Sequence, residues 1–154
     1  MKQKQKISIG ILSCIFALMV AAFIWWLTPK HFLHGVHPEN VSTIEVFNGN
    51  SGNRFEITDA KDITLIVSQI QEVPMKKESL SIGMGTTYNL RFLNATGKEI
   101  DKFIIMSADT IRSGIVFYHC DGQLKPAEDY LIELEKAQFP DSEWAKHQSN
   151  SNVG

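Results

Sequence analysis

Basic and acidic residues nearly cancel in this chain: 15 Lys and Arg against 17 Asp and Glu leave a formal net charge of −2 over 154 residues. A nucleic-acid binder needs a basic face to displace counterions from phosphates, so that class is excluded. Cysteine is equally sparse. Of the two, Cys14 sits inside a long apolar run and Cys120 lies far beyond it, so no intramolecular disulfide framework is expected. The fold must rest on its core. Gly83-Met84-Gly85 is followed by no Gly-Lys-Ser/Thr, which excludes a phosphate loop. Ser107, Asp109, Ser113 and His119 carry hydrolase-type groups, but no nucleophile elbow supports them.

The absence with the largest consequence is charge between Ile7 and Leu27. At ~1.5 Å rise per residue, a helix over this run covers roughly the ~30 Å of bilayer hydrocarbon. A lone segment in lipid must satisfy its own backbone, which only a helix does. Trp25 and Trp26 close the run with rings suited to the interface. Pro29 ends the helix and biases Thr28 toward an extended conformation. Lys2, Lys4 and Lys6 crowd one end, whereas Lys30 stands alone at the other. The positive-inside rule therefore predicts a cytoplasmic N-terminus and an extracytoplasmic remainder. Signal-peptide cleavage at Val20-Ala21-Ala22 is opposed by the apolar Phe23-Ile24-Trp25-Trp26-Leu27 beyond it. A lipoprotein signal at Ile11-Leu12-Ser13-Cys14 is opposed by the short apolar stretch before Cys14.

The expected organisation is a basic start (1–6), a transmembrane helix (7–27), a juxtamembrane linker (28–40), an α+β domain (41–139) and a disordered tail (140–154). In the linker, His31, His34 and His37 also read as a polar interfacial collar around Phe32 and Leu33. Val41–Phe47 and Arg54–Thr58 flank a dense turn and predict a hairpin. Thr58 or Asp59 can cap a helix whose Ile63, Ile66, Val67 and Ile70 share one face. Met75–Gly85 reads as a loop. Strands follow over Thr86–Leu93, Glu99–Met106, an edge strand within Ser107–Ser113, and Ile115–His119. Phe103–Met106 is apolar on both faces and belongs at the sheet centre. A final helix starts near Pro126 and buries Tyr130, Leu131 and Leu134. Segregated strands with short turns predict an antiparallel sheet with helices on one face.

The Lys-rich start, the single anchor, the Ile44-Glu45-Val46 strand, the Gly49–Gly52 hairpin and Gly114 ahead of Phe117-Tyr118 form a pattern. It resembles the small single-pass, membrane-anchored extracytoplasmic proteins of unknown function from low-GC Gram-positive bacteria. The resemblance implies location and architecture and no activity.

Several groups are candidates for chemistry. His31, His34 and His37 offer three imidazoles for Zn²⁺ or Cu²⁺, although their spacing suits no single helix face. His119-Cys120-Asp121 places a base beside a thiol, but adjacent strand residues point to opposite faces. Ile82 and Met84 on a glycine loop are candidate partner contacts. Lys76 and Lys77 could touch anionic headgroups. Gly10, Cys14, Ala17 and Ala21 fall within about 60° of one another on a helix, a stripe of small side chains suited to pairing into a homodimer. The function expected is a binding or regulatory module acting on another envelope protein or ligand, without catalysis and without a cofactor. The alternatives are a metal protein or enzyme built on the juxtamembrane histidines, and a cell-surface immunity or exclusion factor.

Overall fold

The computed structural model describes residues 2–80 and 87–140, with side chains from residue 13 onward. It contains three helices and a seven-stranded antiparallel sheet, an α+β architecture. Helix α1 spans Lys2–Leu27. The strands β1 (Thr43–Asn48) and β2 (Arg54–Ile57) form the expected hairpin, pairing Val46 with Phe55 and Ile44 with Ile57. Every second residue of both strands is buried, as the alternation requires.

Helix α2 (Ala60–Gln71) starts where Asp59 accepts from the backbone N–H of Lys61 at 2.8 Å and of Asp62 at 3.3 Å. That cap satisfies donors that a helix start otherwise leaves open. Its buried face is Ile63, Ile66, Val67 and Ile70, the face expected from the spacing. Strand β3 (Lys76–Leu80) follows, then the meander β4 (Tyr88–Leu93), β5 (Glu99–Ser107), β6 (Thr110–Ser113) and β7 (Val116–His119). The spatial order is β2-β1-β4-β5-β6-β7-β3. β2 and β3 are thus the two edges, and α2, which joins them in sequence, carries the chain from one edge to the other. Helix α3 (Lys125–Gln138), with Pro126 in its first turn, packs beside α2. Its Tyr130 hydroxyl donates to Asp62 at 2.7 Å.

One core unites these elements. Ile44, Val46, Leu90, Phe92, Phe103 and Ile105 from the sheet meet Ile66, Ile70 and Leu131 from the helices. β5 is central, as its apolar composition predicts.

Four expectations need correction. Lys76–Leu80 is a strand, not a loop; its residues are mostly exposed, so no alternating pattern marks it, and it exists because β7 offers a free edge. β6 is no edge strand, since it pairs with β5 on one side and β7 on the other. On α3 the buried residues are Ala127, Leu131 and Glu135, with Tyr130 and Leu134 only partly covered. The last correction concerns the linker. Phe32 and Leu33 do not sit at a surface inside a histidine collar but are core residues, 0% and 2% exposed. Lys30 and Met75 exchange backbone hydrogen bonds at 2.8 and 2.9 Å, which straps the segment to the sheet side. Gln71 donates to the carbonyls of Leu33 and Val36 and holds the strap's far end.

Among the described residues, no helix is long and apolar enough to cross a membrane. Residues 141–154, most of the expected tail, lie outside the described residues.

Candidate functional site

At the C-terminal end of α1, the chain turns through Thr28 and Pro29 into the buried strap, and β3 rises alongside. These elements enclose a cleft of about 510 Å³, with Trp25, Lys30, His31, His34, Lys77 and Tyr118 in its wall. Lys77 closes one side. Its ammonium donates to the carbonyl oxygens of Trp25 at 2.6 Å and Thr28 at 3.1 Å, and sits 4.4 Å from a Trp25 ring centroid. A cation there meets the negative end of the helix dipole and satisfies carbonyls that lack an intrahelical partner. Lys30 lies opposite, its ammonium 4.2 Å from the Phe32 centroid and 5.3 Å from that of Tyr118. Burial pushes the Tyr118 phenol up, so it stays neutral at ordinary pH. No carboxylate is among the residues that line this cleft.

The histidines are divided. His31 and His34 face the cleft with ring centroids 6.3 Å apart. His37 instead lies 3.8 Å from the Glu39 carboxylate, on an exposed stretch after the buried Phe32-Leu33 pair. Among the described residues no group of three or more His, Cys, Asp or Glu is placed to hold a metal ion. His31 and His34 thus stand together at the cleft, and His37 stands apart from them. Anchoring Phe32 and Leu33 in the core fixes the backbone between the imidazoles, with Leu33 in the left-handed region at φ +58°.

A second polar cluster is buried. Glu135, 1% exposed, takes four hydrogen bonds. Asn48 and the Tyr88 hydroxyl donate to Oε2 at 2.7 and 2.8 Å, and Ser51 and Asn53 donate to Oε1 at 2.6 and 2.7 Å. With every direction occupied, the carboxylate has no lone pair left for a substrate, and its role is to clamp α3 to the β1–β2 turn. Burial first, then the hydrogen bond to Glu135, hold the Tyr88 phenol far above its ordinary value of 10.0. A folded-state value raised in this way leaves stability intact below about pH 10 and erodes it as pH rises further. Urea midpoints should therefore fall above pH 10, and Tyr88→Phe should flatten that fall. An equally steep decline in the variant would place the alkaline sensitivity elsewhere.

Cys120 is buried, and burial raises its thiol away from reactivity; its Sγ lies 3.3 Å from the Asp109 carbonyl oxygen. His119 does not face it and pairs with Asp121 at 2.9 Å. Ser107 Oγ accepts from the Asp109 backbone N–H at 3.2 Å. Cys14, Ala17 and Ala21 are exposed along α1, while the side of the stripe at Gly10 precedes the described side chains. Ile82 and Met84 lie outside the described residues.

Lys77 was legible only as a cation in a polar stretch, because its partnership with α1 depends on β3, which has no pattern of its own. Glu135 left a signal that periodicity reading passed over: 127, 131 and 135 follow one another at four-residue spacing, so a charge falls on the buried face. No family model, curated protein or solved structure matches the chain.

Proposed function

We propose that the chain is a membrane-anchored, extracytoplasmic binding or regulatory module, held to the bilayer through residues 7–27 and acting on another envelope component without catalysis. One observation carries this. From residue 13 to Leu27, α1 leaves nearly every side chain exposed, with Phe16 at 65%, Leu18 at 71% and Phe23 at 63%, on faces all round the helix. An apolar surface this continuous is stable only against another apolar phase. The folded domain shields just the end of the helix, through Lys77 and the strap. The uncharged run from Ile7 supplies the length for a span, and Lys2, Lys4 and Lys6 supply the orientation. A non-catalytic role is supported by the saturation of Glu135 and the burial of Cys120, which leave the strongest polar groups engaged in structure.

Protease added to wall-stripped cells should digest the region after Pro29, and alkaline carbonate should leave the chain in the membrane pellet. Protection until the bilayer is broken would reverse the orientation. Release by carbonate would remove the anchor.

A further inference from the structure

We propose that the cleft at the foot of α1 binds the phosphate of an anionic lipid headgroup. The proposal rests on the anchoring of residues 7–27 proposed above. It starts from the charge in the cleft wall. Lys30 and Lys77 contribute two ammonium groups, His31 and His34 two imidazoles, and no carboxylate offsets them. Both lysines are positioned rather than free to wander. Lys77 uses two of its three donors on the Trp25 and Thr28 carbonyls, which leaves one for a ligand. The Lys30 ammonium is held over two aromatic faces, and among the described residues its Nζ donates to no acceptor. Pre-positioned ammonium groups are what a phosphate diester requires, and ordering them in advance lowers the cost of binding.

Depth makes the choice of ligand. Trp25 forms part of the cleft wall, and tryptophan at the end of a spanning helix prefers the headgroup level. The cleft then opens at the height of the lipid phosphates. Its 510 Å³ lies within the ~300–1,000 Å³ typical of small-ligand pockets. A zwitterionic headgroup brings its own ammonium toward Lys30 and Lys77, whereas an anionic diester such as phosphatidylglycerol brings none. Free inorganic phosphate shares the chemistry but not the location, and the test separates them.

The full chain is reconstituted in nanodiscs of equal parts phosphatidylglycerol and phosphatidylcholine, and the lipids that remain bound after gentle detergent stripping are counted by mass. Phosphatidylglycerol should be enriched, and Lys30→Gln should cut the enrichment about fivefold, the equivalent of one lysine near an anionic surface. Lys30→Arg should restore it. Lys2, Lys4 and Lys6 are common to all variants and cancel from the comparison. Equal enrichment in wild type and Lys30→Gln overturns the proposal. So does displacement of the lipid by millimolar inorganic phosphate, which would make the site one for a free anion. Failure of the chain to insert overturns the anchoring as well, whereas insertion without lipid selectivity overturns this proposal alone.

Discussion

Replacing Glu135 by alanine is expected to cost the domain about 4 kcal/mol or more, a large part of the ~5–15 kcal/mol that holds a typical domain folded. The carboxylate is the shared acceptor for Asn48, Ser51, Asn53 and Tyr88. Truncation takes the acceptor from the amide NH₂ of Asn48, a fully buried residue, and from the Tyr88 hydroxyl, and hydrogen bonds to a charged group each contribute roughly 1.5–3 kcal/mol. The losses are coupled and will not add in full. Asn48 also organises the turn itself, since its Oδ1 accepts from the backbone N–H of Asn50 at 2.8 Å. Damage should therefore spread from α3 into the hairpin. Glu135→Gln preserves the shape but turns an NH₂ group toward two of the four donors, so it should cost about half as much. Urea unfolding of residues 28–140 measures both. A Gln variant as stable as wild type would show that the clamp needs bulk and not an acceptor.

Phe32→Ala should be comparably severe, at about 3–5 kcal/mol for a buried aromatic removed from a core. Phe32 is fully buried, with ring centroids 4.9 Å from Phe103 and 5.1 Å from Tyr118, the latter edge-on. The same logic fixes where the domain begins. A fragment starting at residue 39 loses Phe32, Leu33 and the backbone pairing of Lys30 with Met75. It should show no cooperative unfolding, whereas a fragment of residues 28–140 should. If the two fragments melt alike, the strap contributes nothing and the domain begins after it.

Local patterns carried much of the architecture. The β1–β2 hairpin was readable because Phe55 and Ile57 alternate with polar neighbours across a dense turn. α2 was readable because Asp59 precedes four apolar residues at helical spacing. The strap was not, because Phe32 and Leu33 stand among histidines, glycine and proline with no period to reveal a buried face. β3 was hidden for the same reason, its Lys76, Glu78 and Ser79 being exposed in the finished sheet.

Composition and spacing by themselves determined that this chain has an uncharged apolar run, a helix with one buried face, a set of short antiparallel strands and no disulfide, because each follows from the chemistry of neighbouring residues. Only the tertiary structure decided which edges β2 and β3 occupy, that Phe32 belongs to the core, that His37 parts from His31 and His34, and that Glu135 is a buried acceptor for four donors. Those outcomes depend on contacts between residues dozens of positions apart, where pairing and burial, not local preference, set the energy.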